Sequence, residues 1–146
     1  LVNNASIFRK GKIADTEPDF FMRHVAINFT APFFLSRDFA RICKKGQIIN
    51  LLDTRVAGSD FSYAIYTITK KALAELTRIS AREFAPHIRV NAIAPGIILP
   101  PPGADRQSFE KMALKIPLKK TGALDYVVQS VRFILKIWVG FINRRL

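Results

Sequence analysis

A parallel α/β fold is predicted for this 146-residue chain from three features of its pattern. Short apolar runs rich in β-branched residues, Gln47–Leu52 and Ile88–Ala94, read as strands buried on both faces. Long segments with helical apolar spacing separate them. Each changeover is marked by glycine, proline or a cationic helix end. Strand, helix, strand, helix, strand is the order of a parallel sheet with crossover helices.

Leu1-Val2 reads as the end of a buried strand and Asn3 to Thr16 as a loop. From Glu17 to about Cys43, Phe20, Phe21, Val25, Ile27, Phe33, Phe34, Phe39 and Ile42 recur at helical spacing, giving one long helix or two abutting ones. Asp15 and Thr16, followed by Pro18, suit its start. Lys44-Lys45-Gly46 suits its stop, with cations at the negative end of the dipole and a glycine after them. Asp53 to Ser62 is a polar loop. Tyr63 to Ala85 has strong helix formers and ends before Pro86. Pro95-Gly96 stops the third strand. Leu99 to Gly103, with Pro100-Pro101-Pro102, is a stiff connector, and short helices are predicted near Gln107–Leu114 and Leu124–Lys136. The chain opens without Met inside an apolar pair, and three strands are fewer than a doubly wound sheet normally has. It is therefore expected to be a piece of a longer protein.

Apolar residues make up 49% of the chain and twelve residues are Phe, which excludes a disordered polypeptide. A single cysteine, Cys43, excludes an internal disulfide framework and fits a reducing, cytoplasmic compartment. It is expected to be a small packed residue, since no histidine near it in sequence would activate it. His24 and His87 lie far apart without cysteine partners, so no metal is expected. The apolar tail is broken by Lys136 and is shorter than the ~20 residues a membrane helix needs. The net charge of +12 invites a nucleic-acid reading. The basic residues are scattered, however, with no aromatic-basic stripe, so a nucleic-acid partner is not expected.

The sharpest chemical signal is Tyr66-Thr67-Ile68-Thr69-Lys70. Positions i and i+4 share a helix face, so the phenol and the ammonium point the same way. A nearby cation favours the phenolate and tunes a phenol toward acid–base work at neutral pH. Taken alone, the pair reads better as a solvated face carrying an amphipathic tyrosine. Lys71 points about 100° further round the helix, toward solvent.

Five ordered motifs resemble the short-chain dehydrogenase/reductase family. They are Asn3-Asn4-Ala5, Ala26-Ile27-Asn28-Phe29, Gly46 to Leu52, the Tyr66/Lys70 pair, and Arg89-Val90-Asn91 with Pro95-Gly96. The resemblance implies a Rossmann-like doubly wound parallel sheet, incomplete here, with strands corresponding to the family's fourth, fifth and sixth. Residues 1–136 would be the C-terminal portion of such a domain, and 137–146 an atypical tail that departs from the family's ending near Lys136. The family's catalytic serine is replaced by Asp53. Together with Ser6 and Phe8, that carboxylate resembles the pteridine reductase and dihydromonapterin reductase branch.

The resemblance implies NADPH as cofactor and a pterin or related C=N or C=O small molecule as substrate. Asp53, Tyr66, Lys70 and Asn28 would be catalytic, with Asn28 holding a water that links Lys70 to solvent. Asn3, Ala5, Ser6, Pro95, Gly96 and Ile98, with Tyr66 and Lys70, would hold the cofactor. Phe8, Tyr63, Asp53 and Tyr66 would face the substrate. Plainer readings stand beside these. Asp53 suits a turn cap, and Phe8 suits a core ring. Asn28 suits a helix asparagine bonded to its own backbone at a kink, and Tyr63 suits a helix start. The Pro100–Pro102 loop would shape specificity or simply connect. A homo-oligomer, tetramer or dimer, is implied for the full-length form. The family's glycine-rich phosphate-cradling turn is not among these residues, so no turnover is expected from them alone.

Overall fold

The computed structural model describes residues 1–100, 106–114 and 116–136. Its sheet has three parallel strands in the order β1 (Val2–Asn3), β2 (Gly46–Leu51), β3 (Ile88–Ile93). Val2 pairs with Ile49, and β2 pairs with β3 from Gly46/Ile88 to Leu51/Ile93. Ile48, Ile49 and Val90 are fully buried, as strands covered on both faces require. Both strands begin and end within a residue of the sequence reading.

The first crossover is a single helical rod with a defect in the middle. Helix α1 (Pro18–Val25) passes through a π-helical turn, Ala26–Thr30, into α2 (Ala31–Ile42). Pro32 explains the defect, because it has no N–H to give to the carbonyl four residues back, that of Asn28. The Ala31 N–H reaches instead to the Ala26 carbonyl, five residues back, the register of a π turn. The rod's ends differ from expectation. Glu17 is its N-cap, while Asp15 ends a separate 3₁₀ turn and the Thr16 hydroxyl donates to the Lys12 carbonyl. Gly46 does not stop the helix. Cys43 already leaves it in extended conformation (φ −95°, ψ 117°), and Gly46 opens β2. There the close approach of the Phe39 ring leaves no room for a Cβ, which would sit 2.7 Å from it.

Helix α3 (Ala64–Glu83) is the second crossover and packs against β3, β2 and the π turn. Leu73, Leu76 and Ala81 are buried on it, and Ala81 packs with Ile48, Ile88 and Val90. Helices α4 (Arg106–Ala113) and α5 (Leu124–Leu135) follow. The end of α5 is tied to the sheet by Arg89, which donates to the Ile134 carbonyl at 2.9 Å, and by Gln47, which donates to the Leu135 carbonyl at 3.1 Å. Pro101 and Pro102 of the proline connector, and the tail from residue 137, lie outside the described residues.

A buried amide chain crosses the layers. Asn3 donates to Asn50 Oδ1 (2.8 Å), Asn50 donates to the Thr77 hydroxyl (2.8 Å), and Thr77 donates to the Leu73 carbonyl. It fixes β1, β2 and α3 in one register. Asn50→Ala takes one buried partner from each of Asn3 and Thr77 and is expected to cost about 2–3 kcal/mol. Urea denaturation checks this, and a loss under about 0.5 kcal/mol would show the chain of amides to be dispensable.

Candidate functional site

The C-terminal ends of the three strands open into a cavity of about 440 Å³. Its lining includes Asn4, Ser6 and Phe8 after β1, Leu52–Arg55 after β2, Tyr63, Tyr66 and Lys70 on α3, and Pro95–Pro100 after β3. Strand ends are where parallel α/β sheets place ligands. Nine of the twelve residues singled out from sequence converge here: Ser6, Phe8, Asp53, Tyr63, Tyr66, Lys70, Pro95, Gly96 and Ile98.

Asp53 leaves β2 in extended conformation and caps the 3₁₀ turn Thr54–Ala57, accepting the Arg55 N–H on Oδ1 at 2.8 Å. The turn-cap reading of Asp53 is thus correct for one carboxylate oxygen. The other, Oδ2, accepts the Tyr66 hydroxyl at 2.9 Å and lies 3.5 Å from Arg55 Nη1. One carboxylate thereby fixes a loop with one oxygen and engages the phenol with the other.

Tyr66 and Lys70 are 5% and 3% exposed, so the solvated-face reading does not hold. Their side chains are buried between α3 and β2, and Lys70 Nζ donates to the Leu51 carbonyl at 2.8 Å. Lys70 Nζ stands 5.8 Å from the Tyr66 ring centre. The expectation that it pulls the phenol toward ionisation is not met. Burial, then the Asp53 carboxylate, push the Tyr66 hydroxyl well above the usual phenol range, and Arg55 opposes them only in part. At neutral pH the tyrosine holds its proton. Burial pulls Lys70 down to about 8, with Asp53 opposing.

Asn28 is 1% exposed and stands on the π turn. Its Oδ1 accepts the Ile7 N–H (2.9 Å) and the Ser6 hydroxyl (3.2 Å). Its Nδ2 donates to the Ile7 carbonyl (3.0 Å) and the Thr69 hydroxyl (3.2 Å). The side chain is thus a clamp between the loop after β1 and the turn of α3 that carries Tyr66. It bonds to this loop, and not to its own helix. Asn3 is buried in the amide chain and Ala5 is exposed; like Asn28, neither lines the cavity.

Phe8 stacks face to face on Tyr63, with ring centres 4.3 Å apart and 1° between planes, and meets Tyr66 edge-on at 4.7 Å. Phe8 is therefore a wall of the cavity rather than a core ring. Tyr63 is the N-cap residue of α3 but makes no capping bond with its side chain. Arg55, among the lining residues, escaped the sequence reading. The spacing Asp53-x-Arg55 was the available signal, because an arginine two residues after a capping carboxylate returns beside it.

Among the described residues no cluster of His, Cys, Asp or Glu could hold a metal ion, and no helix is long and apolar enough to cross a membrane. Residues 1–144 match the family model described as enoyl-(acyl carrier protein) reductase. Protein FixR of Bradyrhizobium diazoefficiens is 37% identical over 92% of this chain and 51% of its own length. Carbonyl reductase [NADPH] 2 of Sus scrofa is 31% identical over 92% of this chain and 59% of its own. The structure of FolM alternative dihydrofolate reductase 1 from Brucella canis, complexed with NADP, superposes with a TM-score of 0.89 at 34% identity. That superposition covers 97% of this chain and 57% of the other. The chain thus spans between half and three fifths of the length of these relatives.

Between pH 8 and 10.5 the unfolded chain binds a proton at Lys70 that the folded chain gives up, so this lysine's contribution to stability rises with pH across that window. Lys70→Met removes the dependence. Its stability relative to the parent is expected to be higher below pH 8 than above 10.5, by about 1–3 kcal/mol. Denaturation at several pH values measures it, and a pH-independent difference would contradict the burial argument.

Proposed function

This chain belongs to the short-chain dehydrogenase/reductase family, and on that premise we propose that it carries the catalytic half of an NADPH-dependent reductase of pterin-like C=N or C=O substrates. The observation that carries the reading is a protonated Tyr66 hydroxyl 2.9 Å from Asp53, beside Lys70, in one cavity at the strand ends.

The residues present fit a nicotinamide nucleotide. Among the described residues, the one hydrogen bond of the Lys70 ammonium goes to Leu51. Two of its three N–H groups remain to bind hydroxyls such as those of a ribose. Pro95, Gly96 and Ile98 line the cavity and offer backbone groups to the nicotinamide amide, with Asn4 and Ser6 lining it from the loop after β1. NADPH, when bound, supplies the hydride. Preference for NADPH over NADH is supported by the NADP complex of the FolM relative and by the name of the porcine reductase.

Tyr66 delivers the proton. A reduction needs a loaded acid, and the burial that keeps the phenol protonated provides one. Lys70 binds the cofactor ribose with those two N–H groups. Asp53 orients the heterocycle by accepting its N–H donors, and passes on the proton that Tyr66 gives up. The Asn28 side chain is fully engaged in clamping, so the carbonyl that Pro32 leaves without its helix bond is the atom we assign to the relay water. Phe8 offers its ring to the substrate's flat face, with Tyr63 completing that wall. Pterin specificity is supported by Asp53 and by the FolM likeness. The second reading, a general carbonyl reductase, is favoured by the porcine relative.

We also assign a homo-oligomeric state in the cytoplasm. An apolar groove of about 580 Å³ between α2 and α3, lined by Phe29, Phe33, Leu76 and Ile79 among others, supports the self-association. Residues 1–136 act as the C-terminal portion of the reductase domain. The 146 residues alone hold no glycine-rich phosphate cradle and are assigned no turnover.

In the full-length polypeptide, NADPH oxidation with dihydropterins and with simple ketones distinguishes the readings. Tyr66→Phe is expected to lose at least about a hundredfold in kcat/KM on either substrate. Asp53→Ser is expected to lose about tenfold or more on pterins while keeping ketone reduction. Pterin turnover unchanged in Asp53→Ser would overturn the role of the carboxylate.

A further inference from the structure

Arg55 touches Asp53, Phe8 and Tyr63 of the site, and no role in the proposed reaction yet uses it. Its Nη1 lies 3.5 Å from Asp53 Oδ2, the oxygen that accepts the Tyr66 hydroxyl. Its Nε donates to Asp60 Oδ2 at 3.4 Å. Asp60 in turn accepts the Ser62 N–H on Oδ1 (2.9 Å) and the Tyr63 N–H on its carbonyl (3.3 Å), at the entrance to α3. The guanidinium carbon is 4.9 Å from the ring centres of both Phe8 and Tyr63. Those rings are parallel and stacked on each other, so a group equidistant from both cannot cap both outer faces. It packs along the flank of the pair.

The side chain is not needed to form its own turn. The Thr54–Ala57 turn is closed without it: Arg55 N–H to Asp53 Oδ1, Val56 N–H to the Asp53 carbonyl, and Gly58 N–H to the Arg55 carbonyl. What the guanidinium adds is a bridge from the carboxylate at the end of β2 to the one at the start of α3, laid against the aromatic wall. A planar cation with donors on several edges can do this, whereas a lysine ammonium is a point charge.

We propose that Arg55 is a positioning residue of the site, holding the Asp53 carboxylate against the Tyr66 hydroxyl and the Phe8–Tyr63 pair in its stacked form, and so setting the geometry in which a flat heterocycle is received. This rests on the reading of Asp53 and Tyr66 as the substrate-facing pair. Both carboxylates beside Arg55 already neutralise it, so it serves as a brace and not as a receptor for an anionic substrate. Arg55 also opposes the upward shift of the Tyr66 hydroxyl. Without it, the Tyr66 hydroxyl holds its proton more tightly.

Two readouts test the proposal. The first needs no activity: NMR of ring-labelled tyrosine in this chain, with Tyr63 assigned through Tyr63→Phe. In the parent, stacking on Phe8 displaces the Tyr63 ring protons upfield. Arg55→Met is expected to lose most of that displacement while its thermal midpoint stays within about 4 °C of the parent. Arg55→Gln serves should the Met variant fail to fold. The second is the pH profile of kcat/KM for pterin reduction in the full-length polypeptide. Arg55→Met is expected to move the profile upward by about half a pH unit or more and to lower kcat more than it changes the KM for NADPH. Arg55→Lys is expected to restore the profile but not the stacking. Tyr63 resonances and a pH profile both matching the parent in a folded Arg55→Met or Arg55→Gln would overturn the proposal. A parent that reduces neither substrate would sink the functional reading, and the tyrosine resonances would still decide the role of Arg55.

Discussion

Holding a carboxylate within hydrogen-bonding distance of a phenol that is itself 5% exposed is electrostatically demanding, and the rest of the site is organised around it. Desolvation disfavours charge beside the buried phenol. Asp53 keeps its place because its two oxygens are served separately. Oδ1 receives the N–H that closes the next turn, and Oδ2 receives the Tyr66 hydroxyl with the Arg55 cation close by. The phenol pays in the opposite direction, since next to an anion and out of water it keeps its proton. A site meant to donate a proton needs that state.

The scaffold delivers these groups through elements that carry little chemistry of their own. Parallel pairing of β1, β2 and β3 brings the three following loops to one edge of the sheet. The amide chain Asn3–Asn50–Thr77 ties α3 to that sheet below the site, and Asn28 ties the loop after β1 to α3 through Ile7 and Thr69. Both networks hydrogen-bond buried amide side chains across layers, which resists sliding of one layer over another. The π turn follows from a single proline. By removing the donor opposite the Asn28 carbonyl, Pro32 shifts the register where the clamp is needed.

Much of this was legible in the sequence, for physical reasons that differ from element to element. Gln47–Leu52 and Ile88–Ala94 stood out because a strand buried on both faces must be apolar at every position. Tyr66 and Lys70 followed from the repeat of the helix, and Asp53 from its place thirteen residues before the tyrosine in a chain whose other motifs agreed. The rod's ends were misjudged, because Lys44-Lys45-Gly46 has the composition of a helix stop while Phe39 packing claims Gly46 for the strand. The lowering of Tyr66 by Lys70 was misjudged too. Spacing reveals that two side chains share a face, but not that one of them turns to a strand carbonyl. Arg55 was missed because its partners, Asp53, Asp60, Phe8 and Tyr63, are brought together only by the loop's fold.

The central claim is that Asp53 and Tyr66 act as one unit and not as two neighbours. A double-mutant cycle on pterin reduction by the full-length polypeptide, comparing Asp53→Asn, Tyr66→Phe and both together, tests it most directly. The account predicts strong non-additivity, with the double variant little worse than Tyr66→Phe alone and a coupling of at least about 1 kcal/mol. Losses that simply add would contradict it.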